Sequence, residues 1–443
     1  MDSENNVVPL SSAARKRAIR EARNGQVPDL SKILKEDGLS ALAHQTARAA
    51  LLQLMEAEIN QQCGVKGKWE QNPGQRQGYR NGWGPGMVWI GGRYVAIERP
   101  RAVRCKESGG GELILESYLA AQDPKFASDS VLIATVLGVS QRCYPTVVEA
   151  VNPVGENVEV RKLSKSAIGR QFIAASSQYL KAFLSRQLTQ RYLVVWLDMV
   201  AGGDYSALAA VGLTESGEKH ILGLRQSTSE SAAECREFLE GLVARGLSTT
   251  RGLMFVVDGG KGLGSALREV FGKSVLVQRC RVHKKRNILE KLPEKDQEAI
   301  GLRLEEAWAC GSEKLAKAKL ELLARGLDAQ GHKSAAKSLR EGGSDILTCH
   351  RLGVPAGLLD TLSNTNVIES AFSLHESTSH RVKRWRNGMQ FLRWVAAGLY
   401  RAERAFGKLN KPESLAALAR ALACHADAVR TSNRHPAVLT QTA

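Results

Sequence analysis

The sequence predicts an α+β protein of several domains. A mixed-sheet core is interrupted by an all-α insertion and preceded by helical and small β parts. Three observations carry this. Two apolar runs, Tyr192–Leu197 and Leu253–Val257, each close on an aspartate, and strand and helix patterns alternate between and after them. Residues 284–362 then turn uniformly helix-forming, rich in Leu, Ala, Glu, Lys and Arg. At 443 residues the chain exceeds one ordinary core, so two to four domains are expected.

Residues 1–63 read as helical. Arg15–Arg20 is a basic cluster, and residues from Ala41 to Ile59 carry apolar side chains at helical spacing. A DNA-contacting arm and a solvated helix fit this segment equally well. Residues 64–111 form a small β element. Glycines crowd its first part, and short alternating runs follow at Met87–Ile90 and Tyr94–Ile97. Its arginines, Arg80 and Arg101 among them, lie near Tyr79, Trp83 and Tyr94, a mixture suited to gripping a phosphate backbone or to a plain solvated hairpin. Residues 112–188 return to helix. Serines at Gly138-Val-Ser140 and Leu163-Ser-Lys-Ser166 stand where N-caps belong. Two helices there suit a helix-turn-helix, though ordinary packing explains them more simply, and Asn152–Asn157 reads as a linker.

Residues 189–283 form the first part of the core. Strands are expected at 192–198, 205–213, 219–224, 252–258 and 274–278, with helices at 229–244, capped by Ser227 or Ser229, and at 261–271. Thr214–Gly217 is a hairpin signal between the second and third strands. Three antiparallel strands, then helix, strand, helix and strand, is the order of a ribonuclease-H-like fold. The all-α insertion occupies 284–363. A long helical segment, 364–406, follows, and 407–443 holds a last helix at 413–430 and a polar tail.

Composition narrows the function. Lys and Arg number 62 against 45 Asp and Glu, a net charge of +17, which points to a polyanion and most often to nucleic acid. The eight cysteines show no paired framework, so a reducing, intracellular setting is expected. No apolar run reaches the ~18 residues needed to span a bilayer, and no membrane partner is expected. A Gly-x-Ser-x-Gly elbow and a P-loop are both missing, since Gly259–Gly264 is glycine-rich but has no Gly-Lys-Ser/Thr.

The chemistry therefore falls to carboxylates. Asp198 and Asp258 end strands, and their separation leaves room for two more strands, a helix and a return strand, so both belong at adjacent strand ends of one sheet. Glu369, in Asn364-Thr-Asn-Val-Ile-Glu369, opens a helix after the insertion. Each acid alone is more often a turn or cap residue. In this order on a basic chain they suit oxygen-ligand chemistry, with Mg²⁺ or Mn²⁺, as two ions, clamping a phosphodiester. Cys280 and His283 form a Cys-x-x-His pair. Zinc is the lesser reading, because a closed site needs four ligands, and Cys310, Cys349 and His350 are not spaced like a finger. The pair is expected to order the next helix, whose Arg281, Lys284, Lys285 and Arg286, with Arg279, would face the phosphate backbone. Continued as one helix past Glu369, the chain would also bring Lys383 and Arg384 near that face, with Arg386 close by and Trp385 available to stack on a base.

These motifs, in this order, resemble the Mutator-like transposases of bacterial insertion sequences. The matching residues are Gly78-Tyr-Arg-Asn-Gly82 with Pro100-Arg101, Gly138-Val-Ser140, Leu197-Asp198, Val257-Asp258-Gly259, Cys280 with His283 and Asn287, and Asn366-Val-Ile-Glu369-Ser. They run from about residue 50 to 405. The resemblance implies an Asp-Asp-Glu triad of metal ligands in Asp198, Asp258 and Glu369, and a structural role beside it for Cys280 and His283. It implies Mg²⁺-dependent cleavage at the ends of an insertion sequence and joining of 3′-hydroxyls to target DNA. Terminal inverted repeats would be read by the N-terminal third, and a dimer or larger assembly would act on DNA in the bacterial cytoplasm. Two departures stand out: Glu376 occupies a place where related chains often carry Lys or Arg, and Met199 one where a small residue is common. The alternative they leave is a catalytically impaired descendant acting as a DNA-binding repressor.

Overall fold

The structure is a computed structural model that describes residues 38–65, 76–106, 109–151, 160–161, 163–227 and 231–434. The Arg15–Arg20 cluster, the 152–157 linker and Ser229 fall outside these residues. The chain divides into two compact units between Ala175 and Ser176.

The first unit opens with helix α1 (Gly38–Cys63). Met55, Ile59 and Cys63 pack on Val88, Ile97 and Ala102 of an antiparallel hairpin, β1 (Gly78–Ile90) and β2 (Arg93–Arg104). Gly91 and Gly92 turn it at φ of 60° and 86°, a region open to glycine. Short strands β3 (Glu112–Leu113) and β4 (Val160–Arg161) extend the sheet on β2. The hairpin is longer than the alternating runs suggest, because backbone pairing continues through the Gly- and Pro-rich stretch, with Trp83 opposite Pro100. Helices α2 (Glu116–Ala121), α3 (Pro124–Val136) and α4 (Tyr144–Val151) follow, and α5 (Lys165–Ser185) contains the division between the units. Ser140 and Ser164 accept from the backbone N–H groups of Cys143 and Ala167 at 3.2 Å, so both act at helix starts.

The second unit is built on a five-stranded sheet. Its strands are β5 (Tyr192–Gly202), β6 (Tyr205–Thr214), β7 (Lys219–Ser227), β8 (Met254–Val257) and β9 (Leu276–Arg279), in the order β7-β6-β5-β8-β9. The first three form an antiparallel meander, and β8 and β9 run parallel to β5. Side chains alternate between two cores. Leu197, Val195, Phe255 and Val257 face α6 (Ala232–Ala244) and α7 (Lys261–Phe271). Val194, Trp196, Met254 and Val256 face the opposite layer, made of α13 (Ala356–Leu362), α14 (Asn366–Ser379), α15 (Gly388–Ala405) and α16 (Pro412–Arg434). Helix α6 starts at Ala232 rather than residue 229, and its cap is Ser231, whose hydroxyl accepts from Glu234 N–H.

Between β9 and α13 lies the helical insertion: α8 (Arg281–Leu289), α9 (Glu294–Trp308), α10 (Glu313–Ala329), α11 (Lys333–Glu341), a 3₁₀ turn (Gly343–Leu347) and α12 (Thr348–Arg351). It has a core of its own around Leu304, Trp308, Leu323 and Leu339. The segment expected as one helix over 364–406 is two. Helix α14 ends at Ser379, residues 380–387 are non-helical, and α15 starts at Gly388, with Asn387 capping Gln390 N–H at 2.8 Å. No helix among the described residues is long and apolar enough to cross a membrane.

Candidate active site

Parallel pairing of β5 and β8 ends with Leu197 opposite Val257. Asp198 and Asp258 are the next residues, so they stand level on neighbouring strands ~4.8 Å apart. Val194 and Trp196 precede Asp198 at two-residue steps, and Met254 and Val256 precede Asp258. Alternation thus aims both aspartates at the layer containing α14. Two hydrogen bonds fasten the start of that layer, one to the sheet and one to the start of α8. Trp196 Nε1 donates to the Asn364 carbonyl at 3.0 Å, and Arg281 N–H donates to the Ser363 carbonyl at 2.9 Å. Glu369, in the first turn of α14, is thereby brought back across the insertion to the aspartates.

The electrostatics register the approach. Burial above all, helped by Asp258 and Glu369, raises the Asp198 carboxyl from its ordinary value to about 7, against the opposing Met199 N–H, 2.8 Å from Oδ1, and His283. Asp258 Oδ1 accepts from Gly260 N–H at 2.9 Å. Between them Gly259 takes φ of 108°, and a Cβ there would lie 2.1 Å from Arg279 Nε. Glycine therefore lets the Arg279 side chain rest on the backbone beside Asp258.

The third corner is a buried hub that the sequence reading missed. Thr365 is fully buried. Its hydroxyl makes a short hydrogen bond to Glu369 Oε1, and it lies 3.3 Å from His283 Nδ1 and 3.2 Å from Cys280 Sγ. A hydroxyl has one proton to give. The carboxylate takes it, and the same oxygen can accept from His283. Cys280 caps α8, its sulfur accepting from His283 N–H at 3.5 Å. Hydrogen bonding to Cys280 is the main reason the His283 pKa rises to about 9, with Glu369 and Asp198 adding to it against burial. Burial works against the Cys280 thiolate, but hydrogen bonds from His283 and from the Thr365 backbone outweigh it and lower the thiol pKa. Donor atoms of Cys280, His283 and Glu369 lie within 4.8 Å of one another. The signal for Thr365 was present: it sits four residues before Glu369, one helical turn away.

The expected cations divide. Arg281 and Lys284 are buried, which corrects their placement on a DNA-facing surface. Arg281 donates to the Trp308 carbonyl and pairs with His350 Nδ1, and Lys284 reaches Ser338 and Glu341 at 3.4 Å. Both tie α8 to the insertion, and burial lowers both pKa values. Lys285 is bonded to Glu305, while Arg286 is exposed. In the first unit, Arg80 is bonded to Glu56 and Asn60, and Arg101 to Glu112. Lys383, Arg384 and Arg386 are exposed but stand in the break after α14, not along its face. Cys310 and Cys349 donate to the Glu306 and Leu362 carbonyls, and His350 is committed to Arg281 and Trp308.

Asp198 does not end its strand as expected, since β5 continues to Gly202 and pairs Asp198 with Ala209. A half-buried acid within β5, a second just past the end of β8 and level with it, and a third returned by a helix define a carboxylate-lined site on a basic chain. The family described as "Transposase, Mutator family" matches residues 20–397. A transposase for insertion sequence element IST2 of Acidithiobacillus ferrooxidans is 31% identical over 211 residues, 47% of this chain and 69% of that one. A transposase for insertion sequence element ISRM5 of Rhizobium meliloti (strain 1021) is 29% identical over 58% of this chain and 62% of its own length. A transposase for insertion sequence element IS256 in transposon Tn4001 of Staphylococcus aureus is 26% identical over 72% of this chain and 78% of its own. The chain belongs to the Mutator family of transposases.

Proposed function

We propose that this chain is a DNA transposase of the Asp-Asp-Glu type, with a ribonuclease-H-like core. It binds the terminal inverted repeats of an insertion sequence, cleaves the element ends by metal-dependent hydrolysis and joins the 3′-hydroxyls to target DNA. The observation that carries the reading is the level placement of Asp198 and Asp258 on β5 and β8, with Glu369 electrostatically coupled to Asp198. The order β7-β6-β5-β8-β9, an antiparallel meander followed by two parallel strands, supports the core assignment.

The donor set suits a hard divalent cation. Three carboxylates gather where β8 ends beside β5, and the raised Asp198 pKa reflects burial and negative neighbours that a cation would relieve. Asp198, Asp258 and Glu369 would hold Mg²⁺ or Mn²⁺, which when bound supplies Lewis-acid stabilisation of the attacking and leaving oxygens. The chain's own residues set the stage. The sheet fixes both aspartates, Thr365 aims Glu369, and the Cys280–His283 pair locks the first turn of α8 against that carboxylate. Joining two element ends requires two active sites on one DNA assembly, so a dimer or larger complex is part of the proposal.

The test is cleavage of a duplex carrying the element's own end in Mg²⁺ or Mn²⁺. Asp258→Asn should abolish strand cleavage and spare end binding. Cleavage at the wild-type rate by that variant would remove the mechanism.

A further inference from the structure

The break between α14 and α15 builds a second site. Residues 382–386 face Gly203, Asp204 and Tyr205, at the turn joining β5 to β6, across a cleft of about 770 Å³. Helical residues would fan out by ~100° each. Outside the helix, the consecutive Lys383, Arg384, Trp385 and Arg386 all line one cleft. The three cations are exposed and make no ion pair with any described acid, unlike Arg80, Arg101 and Lys285. Asp204 is the acid in the lining, so the walls keep a surplus of positive charge.

Trp385 is held from behind. It meets Phe391 edge-on at 5.3 Å and Trp394 at 6.4 Å between ring centroids. Gly202 fits the indole closely: a Cβ there would lie 3.0 Å from Trp385 Nε1 and 2.6 Å from Phe391. The ring is half-buried, rigidly placed and lines the cleft. A fixed aromatic ring among unpaired cations is the pairing that stacks a base while gripping its phosphates.

Position links the cleft to the carboxylates. Trp385 and Phe391 pack in the same core as Trp196 and Val200, on the sheet face toward which Asp198 points. Gly203 follows Asp198 by five residues, ~16 Å along an extended strand. That is roughly five base-pair steps at ~3.4 Å each.

We infer that this cleft is a subsite for an unpaired nucleotide of the DNA strand, some five steps from the scissile phosphate. Its base stacks on Trp385, and its flanking phosphates lie against Lys383, Arg384 and Arg386. The stacking assignment rests on the chain acting on DNA; only the distance from the scissile phosphate rests also on the carboxylates being catalytic.

The test uses the full chain without divalent metal and a fluorescein-labelled single-stranded oligothymidylate, beside a fully paired duplex of equal length. Trp385→Ala should weaken single-strand binding roughly 5- to 150-fold, and Trp385→Phe should restore most of it. Duplex binding should change far less. Lys383→Gln/Arg384→Gln/Arg386→Gln, all surface changes that keep the fold, should flatten the slope of log affinity against log salt by up to ~2. A control removing three exposed insertion lysines, Lys314, Lys317 and Lys319, should flatten it less. Unchanged single-strand affinity in Trp385→Ala would overturn the subsite, as would equal loss on duplex or a charge variant indistinguishable from the control. Because no cleavage is measured, an inactive Asp258→Asn neither supports nor removes it.

Discussion

Thr365→Val is the most revealing single change in the site. Valine keeps the shape of a fully buried residue and deletes one oxygen. That oxygen contacts Glu369 Oε1, His283 Nδ1 and Cys280 Sγ. Loss of the hydrogen bond to the Glu369 carboxyl group costs ~1–3 kcal/mol, and leaving His283 short of an acceptor adds to the destabilisation. The effect on function should exceed the effect on folding. Glu369 lies in the first turn of α14, and freeing its carboxylate by ~1 Å is worth ~100-fold in rate when geometry is the catalytic device. Cleavage of end DNA under single-turnover conditions should fall about 100-fold, with DNA affinity within about two-fold of wild type. Mn²⁺ affinity, read from the free-ion paramagnetic resonance signal, should fall with it. Thr365→Ser keeps the hydroxyl and should retain most activity. A valine variant that folds stably, binds Mn²⁺ normally and cleaves within two-fold of wild type would refute the positioning role.

Further outcomes follow from packing and charge. Lys284→Met should leave DNA affinity unchanged and alter stability little, since methionine replaces a poorly solvated charge with carbon and the partner Glu341 left behind is half exposed to water; a folded variant with weakened DNA binding would show that Lys284 reaches DNA after all. Gly398→Ala should lower the melting temperature despite alanine's better helix propensity, because the added Cβ would lie 2.5 Å from His375 Cα where α14 and α15 touch. An unchanged or higher melting temperature would contradict the close approach. His375 is buried, and burial lowers its pKa to about 4, with a bond to the Trp394 carbonyl opposing this. The unfolded chain takes up that proton near pH 6.5, so stability present above 6.5 declines as pH falls towards 4, by on the order of 3 kcal/mol. Urea midpoints should drop less over this range in His375→Gln; parallel declines would exclude the histidine as the cause.

Much of the second unit was legible in the sequence. Apolar runs ending in Asp198 and Asp258 gave buried central strands, and an amphipathic run after Gly260 gave α7 with its bounds intact. The failures have physical causes. The basic run at 284–286 looked solvent-facing, yet Arg281, Lys284 and Ile288 recur at helical spacing and are all buried in α8. The insertion supplies enough acceptors to take two cations inside. The helix expected from 366 to 406 broke because Asn387-Gly388 is a helix start, with Asn387 capping Gln390 N–H and Gln390 accepting from Arg386 N–H. Thr365 was legible only as a neighbour of Glu369 one helical turn away, not as the hub of the site. Its role depends on Cys280 and His283, some eighty positions away, meeting it only after the insertion closes the chain on itself.

Everything proposed for this site depends on Asp198, Asp258 and Glu369 sharing one divalent cation. Titration of Mn²⁺ against the wild-type chain and against Asp198→Asn, Asp258→Asn and Glu369→Gln tests it most directly. The wild type should bind, and each substitution alone should markedly weaken binding. Undiminished Mn²⁺ binding in any one of the three folded variants would contradict it.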